Sequence, residues 1–306
     1  MVYRVVSVSI GSSKRDHKAK AVFLGKEFEL QRIGTDGDIK KAASMMRELD
    51  GNVDAIGVGG TDLYLWLGKK RYTIRDSKIF LRSVKKSFLT DGSGLKHTLE
   101  RKAVEYLVST GIFKPYYKYL VVSAVDRWGM AEAIYRIGGE VIYGDVIFAL
   151  GINFPVKTLR TLFTIGSIAL PIAVQLPFSM LYPIGKKQEV YGSGSNSMTK
   201  RYFEWADVIA GDFLYVKKYM PKRLDGKIIF TNTTTSEDAE ELRRRGAKML
   251  ITTTPVLNGR SFGTNVMEGV FATLLGYKPE GPDFSPYEEL IEKMDIKPTV
   301  RVLEGR

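Results

Sequence analysis

Two rhythms of apolar residues alternate along the chain. Dense β-branched runs such as Val2–Ile10 and Val53–Val58 have the character of buried strands. Between them, apolar positions return every three to four residues, as on a helix face. Over residues 1–115 these rhythms predict a smaller α/β unit. Lys20–Gly34 predicts two strands around Leu24-Gly25-Lys26. Asp38 predicts the cap of a helix ending before Gly51, and Leu63–Trp66 pairs with Arg71–Ile74 in a hairpin. Helices are expected at Ser77–Lys86 and Leu95–Ser109.

After Phe113-Lys114-Pro115 the strands become continuously apolar and alternate with helices, the pattern of a parallel sheet covered on both faces. Expected strands are Tyr119–Val125, Glu140–Tyr143, Asp207–Ala210, Lys227–Asn232 and Lys248–Thr253, with a closing helix at Thr264–Leu275. The predicted class is α/β: a Rossmann-like doubly wound parallel sheet over 116–280, a smaller N-terminal domain over 1–115 that would carry substrate, and a tail over 281–306. The chain is uncharged from Thr161 to Ile184, but Pro171, Pro177 and Pro183 interrupt it, so a buried helix over Thr158–Leu170 is expected rather than a membrane span.

Composition narrows the chemistry. There are no cysteines and two histidines, which removes thiolate sites and disfavours a histidine-built metal site or catalytic triad, so no metal is expected. The net charge of +12 is scattered over Lys14-Arg15, Lys69-Lys70-Arg71, Lys85-Lys86 and Arg243-Arg244-Arg245 without a nucleic-acid motif. Nucleic acid is therefore disfavoured as a partner. The opening MVYRVVSVSIGSS predicts a first strand rather than a leader, which makes the cytoplasm the expected location.

Three constellations suggest a nucleotide site. The strand-to-helix turn holds Ser123, Asp126, Arg127 and Gly129, small or charged residues where a helix N-terminus attracts an anion. Asp145 ends the second strand of the unit, where a dinucleotide fold places the acid that accepts ribose hydroxyls. Asn232, Thr233 and Thr234 end a later strand and offer hydrogen bonds to a nicotinamide side. The loop before the last helix offers Arg260 and Asn265 for a carboxylated substrate. In the first domain, Asp91, Lys96 and His97 cluster in a glycine-punctuated run and supply a candidate proton donor. The run Gly192–Ser197 predicts a polar loop with the character of a lid.

The segments VSVSIGSSKRDH, DGSGLKHTLER, YGD and GRSFGTNVMEG, spread over most of the length, resemble bacterial proteins labelled quinate or shikimate 5-dehydrogenase-like. That resemblance implies NAD or NADP as cofactor and oxidation of a small polar alcohol, expected to carry a carboxylate. The alternatives from the residues are an S-adenosylmethionine-dependent methyltransferase and a non-catalytic protein that binds nucleotide or nucleic acid. Each is compatible with a homo-oligomer.

Overall fold

The computed structural model describes residues 1–181, 190–254, 256–257 and 260–303, with backbone alone for 256–257 and 260–261. β1 (Val2–Ser9) buries Val5, Val6 and Val8 regardless of alternation, which marks a strand covered on both faces. A tight turn joins β2 (His17–Phe23) to β3 (Lys26–Gly34), with Leu24 and Gly25 both at positive φ, the pairing a primed two-residue hairpin turn requires. α1 (Ile39–Leu49) starts at Asp38, whose carboxylate accepts from the Lys41 amide at 2.8 Å. β4 (Ala55–Gly59) leads to the hairpin of β5 (Tyr64–Leu67) and β6 (Lys70–Thr73).

α2 (Lys78–Ser83) is shorter than expected because Asp50 draws the amides of Lys85, Lys86 and Ser87 into a loop. After β7 (Phe88–Thr90), the helix expected over Leu95–Ser109 divides into α3 (Ser93–His97) and α4 (Leu99–Ser109), where Thr98 turns its hydroxyl onto the Gly94 carbonyl. The second series runs β8 (Lys118–Val121), α5 (Trp128–Ile137), β9 (Glu140–Tyr143) and α6 (Asp145–Leu150). Next come α7 (Leu159–Ala173), α8 (Phe178–Leu181), α9 (Ser197–Trp205), β10 (Val208–Ala210), α10 (Phe213–Tyr219), β11 (Ile228–Thr231), α11 (Ser236–Arg244) and β12 (Met249–Thr252). β13 (Val256–Leu257) and β14 (Arg260–Ser261) form a hairpin before α12 (Thr264–Leu275), α13 (Ser285–Lys293) and β15 (Thr299–Val302).

The architecture is mixed α/β with largely parallel sheets, in two compact units that the chain visits three times each. The first unit takes Met1–Thr98, a stretch beginning at Ile168, and Phe262–Ile296; the second takes stretches beginning at Leu99, Val190 and Lys297. This differs from contiguous domains at 1–115 and 116–280. α12, expected to close the second sheet, packs on β1, β4 and β7 of the first, and residues expected as a tail form α13 and β15. The α12 approach is close: a Cβ at Gly269 would meet Val5 Cγ1 at 2.7 Å, and one at Gly57 would meet Asn265 Nδ2 at 2.8 Å.

The first sheet runs β2-β3-β1-β4-β7, parallel except for the edge strand β2. The second runs β15-β12-β11-β10-β8-β9, parallel except for β15. Taken in chain order, the parallel strands of both units lie second, first, third, fourth, with a fifth in the second unit. That is the flavodoxin order, not the Rossmann order in which the third strand follows the second outward. The order reverses between β1 and β4 in one unit and between β8 and β10 in the other. In open α/β sheets such a reversal of strand order, at the carboxyl ends of the strands, is where ligand crevices form.

Candidate functional site

At the second unit's junction the chain leaves β8 through Val122, whose amide bonds the Ala210 carbonyl at 2.8 Å, and turns over residues 123–127. Beyond β10 it turns at Gly211, held at φ +131°, where a Cβ would meet Val122 Cγ2 at 2.8 Å. This crowding requires glycine and seats the next residue, Asp212, over the junction. The Asp212 amide donates to Ser123 Oγ at 3.0 Å, its Oδ1 accepts from the Leu214 amide at 2.8 Å as the cap of α10, and its Oδ2 accepts from Asn232 Nδ2 at 3.1 Å.

Arg127 is the centre of this arrangement. Its side chain is fully buried, bonded to the equally buried Glu100 of α4 and, at 2.8 Å, to Asp212 Oδ2, while Asp126 Oδ2 lies 3.5 Å from its Nε. Burial works against the guanidinium charge, but Glu100, Asp212 and Asp126 outweigh it and hold the pKa above its ordinary value. Asp145, at the start of α6, accepts from the amides of Ala124 and Val125 at 3.0 and 2.9 Å. Burial pushes its carboxyl up to about 6 against the pull of those amides, with Asp126 adding to the rise. Tyr215 of α10 is raised by burial, then by the charges of Asp126 and Asp145. Glu100, Asp126 and Asp212 thus surround one buried arginine, and Asp126 and Asp212 remain 19% exposed at the carboxyl edge.

Of the residues expected at a nucleotide site, the fold brings together Ser123, Asp126, Arg127, Asp145 and Asn232. Gly129 is the second residue of α5, two positions beyond the turn. Thr233 and Thr234 occupy the loop after β11, but the helix cap is Thr235, in a reciprocal pair with Asp238. Glu100 and Asp212 were not anticipated. Asp212 could have been found from the Gly-Asp pair that ends an apolar strand; Glu100 carries no local signal, because its role is set by Arg127 from another element.

Most of the other expected residues make contacts within the first unit. Asp91 Oδ2 accepts from the amides of Leu63 and Tyr64, and its Oδ1 from Ser93, which fixes the entry to α3. Lys96 pairs instead with Asp62, the two buried side chains meeting at 2.7 Å. His97 is stacked with Phe284 at 5.7 Å and edge-on to Trp66 at 5.5 Å. The glycines of DGSG donate the Gly92 and Gly94 amides to Glu268 of α12. Asn265 is buried, donating to Ser7 Oγ at 2.7 Å while its carbonyl accepts from Thr90 Oγ1 at 2.8 Å. Arg260 lies in β14, and its side chain is outside the described residues. The expected lid is an ordered connection: the amides of Gly192 and Gly194 bond the carbonyls of Lys217 and Lys218, and Asn196 caps α9.

Residues 94–303 match the family model described as Domain of unknown function (DUF8754), and residues 4–91 match Domain of unknown function (DUF8753). The chain belongs to the DUF8754 family. No curated protein matches it. Solved structures that resemble it include GanP, a glucose-galactose binding protein from Geobacillus stearothermophilus, at 10% identity and a TM-score of 0.37, covering 99% of this chain and 98% of that one. A galactofuranose binding protein has 13% identity, a TM-score of 0.34 and coverage of 96% and 99%. The Caulobacter myo-inositol binding protein has 10% identity, a TM-score of 0.35 and coverage of 98% and 93%. At these scores the likeness assigns this chain no ligand.

The quinate and shikimate dehydrogenase resemblance is overturned: the family models that match the chain are DUF8754 and DUF8753. The expectations of an NAD(P)-dependent oxidoreductase and of a methyltransferase fall with it. The cofactor expectation, NAD or NADP, also has a physical obstacle. The amides of Ala124 and Val125, which a phosphate would need, are given to Asp145, and Asp126 and Asp212 would repel a pyrophosphate at the junction.

Among the described residues, no helix is long and apolar enough to cross a membrane, and no group of three or more His, Cys, Asp or Glu side chains is placed to hold a metal ion.

Proposed function

We propose that the chain binds a small, neutral, hydroxyl-rich molecule at the carboxyl edge of the β8/β10 junction, through Asp126, Asp212 and Asn232. The observation that carries this reading is a set of carboxylate and amide groups held rigid at a strand-order reversal, where open α/β sheets take their ligands. Asp212, which accepts from Leu214, Arg127 and Asn232, keeps a lone pair for a ring hydroxyl, and the second N–H of Asn232 can donate to a neighbouring one, beside the carboxylate of Asp126. Arg127 has its charge matched by buried carboxylates and acts as the frame that orients Asp212. The same carboxylates disfavour anionic ligands.

Thermal unfolding in the presence of aldoses and inositols tests the reading, with polyamines and nucleotides as contrasting panels. A ligand at a hundred times its Kd raises stability by about 2.7 kcal/mol, which is several degrees in a protein of this size. Stabilisation by a polyol supports the proposal. Stabilisation by polyamines alone would reassign the site to organic cations, and a response to nucleotides alone would contradict it.

A further inference from the structure

α7 is apolar on two sides. Leu162, Gly166, Leu170 and Val174 recur every fourth residue along its buried stripe. Its opposite face presents Thr161, Thr164, Ile168, Pro171 and Ile172, and Ile168 and Ile172 are 70% and 68% exposed. The stretch around it adds Ile152 at 55%, Phe163 at 45% and Met180 at 68% exposure. Single exposed apolar side chains are ordinary, but a helix that carries no charge after Arg160 and has apolar residues on both sides belongs inside a protein or at an apolar boundary. Such a face favours a covering partner.

The charge pattern selects the cover. From Val146 to Gln188 the sequence holds no Asp or Glu, while Lys157 and Arg160 precede or open α7 and Lys186 and Lys187 follow it. Lys157 and Arg160 are exposed. An apolar strip that begins at the exposed cations Lys157 and Arg160, in a stretch without carboxylates, is complementary to lipid tails beneath anionic headgroups. A second copy fits less well, because two chains of net charge +12 repel and this stretch brings no acidic partner for its cations. With 15 residues, one of them Pro171, α7 lies along a bilayer rather than across it. We propose that α7 docks on the surface of an anionic membrane, with Ile168 and Ile172 entering the lipid and Lys157 and Arg160 meeting headgroup phosphates.

The test is sedimentation of the full chain with vesicles of phosphatidylcholine and of phosphatidylcholine mixed equally with phosphatidylglycerol. The wild type should sediment with the mixed vesicles, less so as salt is raised. Replacing both isoleucines (Ile168→Asp and Ile172→Asp) should weaken that partitioning by about tenfold or more. Reversing both cations (Lys157→Glu and Arg160→Glu) should weaken it on mixed vesicles alone. These positions are exposed, so the far-UV spectrum and melting temperature should be kept, which separates lost docking from lost folding. A wild type that ignores anionic vesicles, or an isoleucine variant that sediments like wild type, would overturn the proposal. So would light scattering showing a dimer that the isoleucine variant abolishes, since a second copy would then cover the face.

Discussion

Arg127 shows how one residue holds a junction together. It is fully buried with Glu100 and also bonds the partly exposed Asp212, and a buried ion pair is costly mainly when one partner is removed. Arg127→Met, which leaves Glu100 charged and unmatched, is expected to lower unfolding free energy by about 3–5 kcal/mol in a denaturant titration. Arg127→Lys should recover little of this, because an ammonium cannot bond two carboxylates in the guanidinium's planar fork. Loss of less than about 1 kcal/mol in Arg127→Met would mean the pair is dispensable to the frame.

Asp145 gives a second prediction at this scale. Its folded carboxyl sits at about 6, above the ordinary aspartate value, so the native state holds its proton more tightly than the unfolded chain. Its contribution to stability is fully present below about pH 4 and is lost as pH rises through about 6. Asp145→Asn should therefore flatten the stability–pH curve between those values, measured as the difference between variant and wild type. An unchanged slope would show that Asp145 does not titrate there.

At the scale of elements, the best-supported lesson concerns the glycine-punctuated run before α3. Its Asp, Lys and His suggested acid–base chemistry, yet each is claimed by packing. Gly92 adopts φ +86°, and a Cβ there would lie 2.4 Å from Thr264 Oγ1. A Cβ on Gly94 would come within 2.6 Å of the Tyr287 ring and 2.7 Å of Glu268 Oε1. These contacts let the loop sit on α12 and give its amides to Glu268, whose carboxyl is raised by burial against the opposing charge of Lys278. Gly92→Ala should cost more than about 2 kcal/mol in unfolding free energy, from backbone strain and overpacking together. A neutral effect would mean that the loop can move off the helix.

Strands and helices were legible where apolar rhythm or a cap fixed them, as at Asp38, Thr264–Leu275 and the hairpin at Leu24-Gly25. The destination of α12 was not, because its mostly apolar residues fit either sheet and only tertiary contacts choose. Strand order was likewise hidden: apolar runs show that strands are buried but not which lie side by side. The strand ends of the candidate site were partly visible in Ser123, Asp126, Asp145 and Asn232. Their role was misjudged because sequence spacing cannot show that Asp145 already holds the amides a phosphate would require.

At the scale of the whole molecule, the parallel strands of both units share one order at their reversals, and net positive charge coexists with a carboxylate-rich junction. The global charge therefore says little about the ligand, which meets the local carboxylates. The central claim is that those carboxylates bind a neutral polyol. Calorimetric titration of wild type and of Asp126→Ala with the aldose or inositol that most raises the melting temperature tests it most directly. Asp126 is partly exposed, so this variant should fold while losing affinity by about tenfold or more, as expected for a lost charge-assisted hydrogen bond. Saturable binding in the wild type that weakens in this way is the predicted result; equal affinity in both proteins would place the ligand elsewhere and contradict the account.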